Sequence, residues 1–207
     1  MTDAQPKANP FSGRIISGGE GPVSIANVPN LITVARILAA PVFFALLLAD
    51  NGDLGPVRIV AAVLFIVAIA SDGIDGHIAR SRNLVSDVGI ILDPIADKLI
   101  TSGALICLSI LGELWWWVTI LIVVREVGIT IYRFVALKNR VIAADKSGKL
   151  KTLVQAVAIS LALLPIWLVL GDWFLWVNWV LMGAALALTV YSGIVFIINV
   201  GKSTRVA

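Results

Sequence analysis

Six long apolar runs restrict most strongly what this chain of 207 residues can fold into. A helix needs about 20 predominantly apolar residues to cross a bilayer, and the runs are of that length. Charged residues make up 14% of the sequence, whereas an ordinary soluble domain carries roughly 25%. We therefore predict an all-α, polytopic membrane protein with six transmembrane helices. The predicted spans are Leu31–Ala49, Pro56–Ala79, Val88–Leu111, Leu114–Leu137, Leu150–Leu170 and Trp173–Val200.

The sequence outside these runs predicts a simple domain organisation. One membrane domain covers residues 27–201, and residues 202–207 form a short tail. Residues 1–26 are polar and contain Gly, Pro and Ser, which is typical of a flexible tail or of an arm lying on the surface. The single cysteine, Cys107, lies within an apolar run, so we expect it to pack as a small buried hydrophobe.

The charged residues sort by side of the membrane. The first, third and fifth loops carry acidic residues and neither Lys nor Arg, although Arg58 lies just inside the second span. Lys and Arg instead follow the other side, and they mark the cytoplasmic face of membrane proteins. We therefore predict a protein of the cytoplasmic membrane with both termini in the cytoplasm. The basic residues of that side are Lys7, Arg14, Arg80, Arg82, Lys138, Arg140, Lys146, Lys149, Lys151, Lys202 and Arg205.

Four aspartates lie in the cytoplasmic stretch between the second and third spans and in the ends of those spans. Asp72 and Asp75 are three residues apart, and Asp93 and Asp97 are four apart. These spacings place each pair on one face of a helix. Four carboxylates in one pocket repel each other, whereas hard divalent cations such as Mg²⁺, Mn²⁺ or Ca²⁺ take oxygen ligands. We therefore predict a polar metal cavity that faces the cytoplasm and holds one ion or two.

A glycine and an arginine beside the aspartates indicate the kind of substrate. Gly76 follows Asp75 directly, and a glycine inside a helix costs about 1 kcal/mol relative to alanine. Close approach of a ligand or of another helix best explains it. Arg80 lies one turn further on the same face, where a guanidinium can bind phosphate oxygens bidentately. The combination favours a nucleotide or pyrophosphate substrate.

These residues belong to one longer pattern, Asp72-x₂-Asp75-Gly76-x₂-Ala79-Arg80-x₈-Gly89-x₃-Asp93-x₃-Asp97. The pattern resembles the signature of the CDP-alcohol phosphatidyltransferases, and the six-helix layout is similar to theirs. The resemblance implies an enzyme in which an alcohol hydroxyl attacks the phosphorus that carries the lipid and releases CMP. It also implies two bound ions, Mg²⁺ or Mn²⁺, and a homodimer.

The resemblance also implies roles for the individual positions. Asp72, Asp75 and Asp93 would be metal ligands, and Asp97 would complete the metal site and act as the general base. The CDP group would lie against the first two of these aspartates. Asp93 and Asp97 would be the catalytic residues. Gly76 and Ala79 would leave room for the cytidine, and Arg80 would hold the diphosphate.

The acceptor alcohol is indicated by four further segments. "PNLITVARILAAP", "ADKLITSGAL", "REVGITIYR" and "SGKLKT" resemble the phosphatidylglycerophosphate synthases, the branch that uses glycerol 3-phosphate. Basic side chains near the aspartates fit this dianion, because cations gather a small polyanion from the cytosol. The predicted ligands of the acceptor phosphate are Thr33, Arg36, Arg125, Arg133, Lys146, Ser147 and Lys149, with Lys151 in the same cationic stretch.

Several of these residues have a second interpretation. The lysines could simply follow the positive-inside rule or touch anionic lipid. Arg125 and Glu126 lie about halfway along the fourth span, where charge is expensive and usually functional. They could bind or orient the acceptor, or they could form a structural ion pair. For Lys98, directly after Asp97, we expect a salt bridge or a position at the membrane interface.

Three functions remain open from the sequence. The first is transfer of a phosphatidyl group from CDP-diacylglycerol to glycerol 3-phosphate. The second keeps the family and changes the acceptor, as in a phosphatidylinositol phosphate synthase or a cardiolipin synthase. The third is a cation-coupled transporter, but a transport site should lie near the bilayer midplane, whereas these aspartates lie near helix ends. The expected partners are the two substrates and membrane lipids, without nucleic acid.

Overall fold

A computed structural model describes residues 28–81, 87–136 and 146–205. For residues 74–81, 87–88, 90, 136, 146–149 and 202–205 it describes the backbone alone. All regular structure in the described ranges is helical, which confirms the all-α prediction for that part of the chain. The helices are α1 Val28–Asp50, α2 Pro56–Ser81, α3 Asp87–Ile110, α4 Trp116–Ala136, α5 Lys146–Leu163, α6 Trp167–Leu170 and α7 Trp173–Arg205.

Three of these helices are long and apolar enough to cross a membrane. They cover Val28–Asp50, Pro56–Gly73 and Trp173–Gly201. α3 and α4 have comparable length, with 24 and 21 residues, but each carries several charged residues along its course. Outward-facing side chains such as Val63, Val124 and Ile194 are exposed and apolar, as expected of a surface in contact with lipid. The chain is therefore a membrane protein, and the count of six spans stays a prediction.

The fifth predicted span differs from the structure. We predicted one helix over Leu150–Leu170, but α5 ends at Leu163 and the one-turn helix α6 follows. Pro165 lies in the break. Proline lacks the N–H that a helix needs, and it disfavours helical backbone angles in the residue before it. The apolar run is continuous in composition and interrupted in structure.

The helices form a bundle with an apolar core. α1 packs against α2 and α3, α3 packs against α4, and α7 packs against α4 and α5. The largest fully buried apolar side chains include Phe43, Phe65, Leu105, Ile122 and Ile159, contributed by α1 to α5. The core therefore fixes how the helix ends that carry polar residues lie relative to one another.

A buried arginine joins four segments at one end of the bundle. Arg58, near the start of α2, has no exposed surface. Its Nη1 donates to Glu113 Oε1 at 2.9 Å and lies 3.8 Å from Asp50 Oδ2. Its Nε donates to the Leu163 carbonyl at 2.9 Å, and Nη2 donates to the Ala162 carbonyl at 3.2 Å. Arg58 thus ties together the ends of α1 and α5, the start of α2 and the link between α3 and α4. We call this the Arg58 end.

Candidate active site

A polar cavity of about 420 Å³ lies at the other end of the bundle, between α2, α3 and α4. Three of the four predicted metal-binding aspartates line it. The helices therefore bring together carboxylates that are as far apart in sequence as Asp72 and Asp97, 25 positions. α2 is helical through the first aspartate pair and α3 through the second. The lining residues are Asp72, Asp93, Pro94, Asp97, Lys98, Thr130, Arg133 and Phe134.

Helix α1 supplies a partner for two of these carboxylates. Arg36 Nη1 donates to Asp72 Oδ1 at 2.5 Å, and the arginine side chain is buried while that of Asp72 is 41% exposed. Thr33 Oγ1 lies 2.7 Å from Asp93 Oδ1, to which it donates. Thr33 and Arg36 are three residues apart, so they lie on one face of α1. We predicted both as ligands of the acceptor phosphate. The structure shows contacts from both to the aspartates, and Thr33 Oγ1 also lies 3.1 Å from the Pro29 carbonyl; their role toward the acceptor phosphate stays a prediction.

The third carboxylate, Asp97, is bound by the residue next to it in the chain. Lys98 Nζ lies 2.6 Å from Asp97 Oδ2 and 2.7 Å from Glu126 Oε2 on α4. The ammonium therefore bridges a carboxylate of the cavity and a carboxylate of the neighbouring helix. This contact confirms the salt bridge that we expected for Lys98.

Glu126 is the centre of a larger charge cluster. It is 3% exposed, and besides Lys98 it pairs with Arg125 Nη1 at 2.9 Å and with Lys151 Nζ on α5. Arg125 also donates to Ser192 Oγ on α7 at 2.8 Å. One buried carboxylate thus faces three cations and connects α3, α4, α5 and, through Arg125, α7. We call Glu126, Lys98, Arg125 and Lys151 the Glu126 cluster.

The other predicted acceptor ligands are only partly described. Arg133 lines the polar cavity, and its guanidinium lies 5.7 Å from the centre of the Phe196 ring. For Lys146, Ser147 and Lys149 the side chains lie outside the described residues.

The same holds for part of the signature. The side chains of Asp75, Ala79 and Arg80 are not described, and Gly76 lies in the same stretch. Their predicted roles therefore stay predictions, as does the structure of the N-terminal tail.

The donor chemistry of the cavity fits a hard divalent cation. Asp72, Asp93 and Asp97 contribute carboxylate oxygens to one space, and such oxygens are the ligands that Mg²⁺ and Mn²⁺ take. Among the described side chains, no three His, Cys, Asp or Glu residues lie close enough together to hold a metal ion in their present positions. In the described arrangement a guanidinium, a hydroxyl and an ammonium each bind one of the three carboxylates.

An apolar groove of about 650 Å³ adjoins the polar cavity. The two spaces share Pro94, Lys98, Thr130 and Phe134, so they meet along one edge of α3 and α4. The groove continues toward the Arg58 end, past Gly103 to Cys107, and α1 closes one side with Phe44 and Leu48. Cys107 is buried, as expected of a small hydrophobe in the apolar interior.

Comparison with known proteins identifies the family. The family model described as CDP-alcohol phosphatidyltransferase matches residues 26–191. That range includes every position of the aspartate pattern and the helices that build the cavity. The chain belongs to the CDP-alcohol phosphatidyltransferase family. It is accordingly an enzyme of the phosphatidyltransferase class, and the resemblance inferred from the sequence is confirmed.

Curated members of the family that are similar to this chain carry related names. A "Probable phosphatidylglycerophosphate synthase" of Mycobacterium tuberculosis is 40% identical over 194 residues, which cover 94% of this chain and 87% of that protein. A "CDP-diacylglycerol--glycerol-3-phosphate 3-phosphatidyltransferase" of Bacillus subtilis is 41% identical over 148 residues, 67% of this chain and 77% of that one. The protein of the same name from Rickettsia typhi is 37% identical over 139 residues, covering 67% and 76%.

The Glu126 cluster is the part of this phosphatidyltransferase that sequence reasoning missed. We predicted Arg125 as an acceptor ligand, Lys151 as part of the cationic stretch and a salt bridge for Lys98, but we did not predict that these three cations share Glu126. One signal was present, since Lys151 lies inside the predicted fifth span, which begins at Leu150. A charge inside a span usually has a partner within the bundle. The sequence does not say which partner.

Proposed function

We propose that this protein transfers the phosphatidyl group of CDP-diacylglycerol to a hydroxyl of sn-glycerol 3-phosphate, giving phosphatidylglycerophosphate and CMP. One observation carries the proposal: three signature carboxylates line a polar cavity that shares four lining residues with an adjoining apolar groove. A water-soluble anion and a membrane lipid need such a junction to meet. The names of the relatives in Mycobacterium tuberculosis and Bacillus subtilis support the choice of acceptor.

In the proposed reaction, an oxygen–phosphorus bond forms and another breaks. The acceptor hydroxyl oxygen bonds to the phosphorus that carries diacylglycerol, and the bond from that phosphorus to the bridging oxygen of CMP breaks. Asp97 accepts the hydroxyl proton. General-base catalysis of this kind typically raises the rate by about 10²–10⁴. CMP leaves with the bridging oxygen and its electron pair.

The remaining aspartates have a binding role in this proposal. Asp72, Asp75 and Asp93, with Asp97, would hold one or two Mg²⁺ or Mn²⁺ ions. Such ions supply neutralisation of the diphosphate and of the leaving group. Arg36 and Thr33 fix Asp72 and Asp93 from α1, so these two carboxylates are held in place before any substrate binds.

The donor would lie across the boundary of the two spaces. Gly76, Ala79 and Arg80 would hold its cytidine and diphosphate, while an acyl chain lies in the apolar groove between α1, α3 and α4. Burial of apolar surface contributes about 25 cal/mol per Å², so the groove can hold a long chain without any polar contact. The shared residues Pro94 and Phe134 would then lie beside the glycerol backbone.

The acceptor would bind on the opposite side of the reacting phosphorus. Arg133 offers a cation at the cavity wall, and Lys146, Ser147 and Lys149 begin the neighbouring helix α5. Arg125 would add its guanidinium, which donates to Ser192 Oγ at 2.8 Å, and the whole side chain is 20% exposed. We further propose that this cavity faces the cytoplasm, where glycerol 3-phosphate is dissolved, and that two copies of the chain associate in the membrane.

The test is CMP release by the purified protein with CDP-diacylglycerol and Mg²⁺ or Mn²⁺. Glycerol 3-phosphate, inositol 1-phosphate, free inositol, serine and phosphatidylglycerol are offered singly, each with an EDTA control. We expect release with glycerol 3-phosphate and its loss in EDTA. Release with another acceptor alone would contradict the acceptor assignment and leave the family intact. Undiminished release in EDTA would contradict the metal dependence.

A further inference from the structure

The contact between Asp97 and Lys98 requires an explanation, because neighbours on a helix do not face each other. Consecutive side chains on a helix point in directions about 100° apart. The ammonium of Lys98 nevertheless lies 2.6 Å from Asp97 Oδ2, so the long lysine chain folds back along the helix surface. Because the lysine stem is flexible, a second group that binds its end holds this conformation more firmly.

Glu126 is that second group. Its Oε2 lies 2.7 Å from Lys98 Nζ, and its side chain is 3% exposed, whereas that of Lys98 is 22% exposed. Glu126 itself is fixed by Arg125 and Lys151, which reach its other oxygen, Oε1. A buried carboxylate that is bound from two sides is a rigid anchor. The lysine between the anchor and Asp97 therefore has one favourable position.

We propose that Glu126 is a positioning residue that acts on Asp97 through Lys98. Held in this way, the ammonium occupies Oδ2 of Asp97 and sets the direction of the other oxygen toward the cavity. Released from Glu126, the same ammonium could move to another carboxylate of the cavity or to a phosphate of the donor. The inference builds on the proposed function, since it concerns how the proposed base is oriented.

A change at Glu126 could also lower activity without moving Asp97, because Glu126 binds Arg125 and Lys151 as well. Through Arg125 and Lys151 it could influence binding of the acceptor phosphate, and its loss would leave three cations with less neutralisation. These effects change the KM for glycerol 3-phosphate or the stability of the protein. Positioning of Asp97 changes kcat. A double-mutant cycle of Glu126 with Lys98 separates these possibilities. Only the effect of Glu126 on Asp97 passes through Lys98, whereas the effects through Arg125 and Lys151 do not.

The experiment compares Glu126→Gln, Lys98→Met and the double variant in the CMP-release assay with glycerol 3-phosphate. We expect each single change to lower kcat on the order of 10-fold to 100-fold, as small displacements of reacting groups do. We expect the KM for CDP-diacylglycerol to stay within about threefold of the value for the unmodified enzyme, since the substitutions change the orientation of Asp97 and not the binding of the donor. The double variant should have a kcat no lower than the worse single variant.

Two variants serve as controls. Glu113→Gln makes the same change in the carboxylate that pairs with Arg58 at the other end of the bundle, and it should lower thermal stability with little change in kcat. Glu126→Asp keeps the charge and withdraws the carboxylate by about 1.5 Å, one carbon–carbon bond. It should lower kcat in the same direction, and it remains informative if Glu126→Gln fails to fold.

Three results would overturn the inference. The first is a kcat of the double variant that is lowered by the product of the two single reductions. Effects that are independent add in free energy, so this result would mean that Glu126 does not act through Lys98. The second is an unchanged kcat in folded Glu126→Asp. The third is a change confined to the KM for glycerol 3-phosphate. Each presupposes turnover by the unmodified enzyme; absence of that turnover would count against the proposed function instead.

Discussion

The three described carboxylates of the cavity differ in the kind of partner that holds them. Asp72 is bound by a buried guanidinium and Asp93 by a hydroxyl, both from α1. Asp97 is bound by an ammonium on a flexible chain, which it shares with Glu126. A buried arginine with a planar fork is a more rigid partner than a lysine. The carboxylate proposed to move a proton is therefore the one whose position depends on a further residue, Glu126, that fixes its partner.

Asp97→Asn tests this assignment at the level of one residue. Asparagine has the same shape and cannot accept the proton, so we expect kcat to fall by about 10²–10⁴ while the protein still folds and inserts. The matched control is Asp53→Asn, in an exposed turn at the Arg58 end, which should leave kcat unchanged. Near-normal turnover by the Asp97 variant would exclude it as the base.

At the scale of elements, α3 carries most of the site. It supplies two aspartates and Lys98 to the polar cavity and one wall of the apolar groove. Gly103 lets it approach α1, since a Cβ at this position would overlap the ring of Phe44. The ring is half-buried and lines the groove, so any shift forced on it changes the groove as well.

Gly103→Ala should therefore destabilise the protein, although alanine is the better helix former. Overpacking of this kind costs about 1–3 kcal/mol, and most of that range lies above the gain in helix propensity of about 1 kcal/mol. The control is Gly128→Ala on α4, where a Cβ meets no atom within 4 Å. Thermal unfolding in detergent should give a lower Tm for the first variant and an equal or higher Tm for the second. Equal behaviour of the two would contradict the close packing of α1 on α3.

The helices themselves were largely predictable, and the exceptions have physical causes. Apolar periodicity and loop signals placed α1 to α4 to within a few residues, because length and composition dominate the choice of helix in a membrane. The same signals missed the end of α5. Pro165 continues the apolar run, so hydropathy does not mark it, but its missing N–H and fixed ring interrupt the helix. The signals also could not pair Glu126 with Lys151, because contacts between helices depend on rotation and register, which composition does not record.

At the scale of the whole molecule, the two ends of the bundle are held by different charge clusters. The Arg58 end joins α1, α2, α5 and the link before α4 through one fully buried guanidinium. Arg58 and Asp72 are 14 positions apart on α2, or about 21 Å at 1.5 Å per residue. Energetic effects at such separations are usually additive. Changes at Arg58 should therefore affect stability without affecting the chemistry.

Arg58→Met should lower the free energy of unfolding by about 3–5 kcal/mol, because it leaves Glu113 and the carbonyls of Ala162 and Leu163 without the donor that Arg58 supplies. The measure is thermal unfolding in detergent, with kcat taken well below the new Tm. Arg58→Lys should be intermediate, since an ammonium keeps the charge and loses the planar fork. A large fall in kcat of the folded Arg58→Met protein would contradict the independence of the two ends.

The shared edge of the polar cavity and the apolar groove has a consequence for how turnover depends on concentration. Pro94, Lys98, Thr130 and Phe134 border both spaces, so in the proposed reaction the acceptor would arrive by diffusion in three dimensions and the lipid donor in two. The concentration of a dissolved acceptor is counted per volume of water, and that of a lipid donor as a mole fraction of the surface around the protein. Inert lipid or detergent therefore dilutes the second reactant even when its total amount in the vessel is constant. The composition of the membrane becomes a rate variable in its own right.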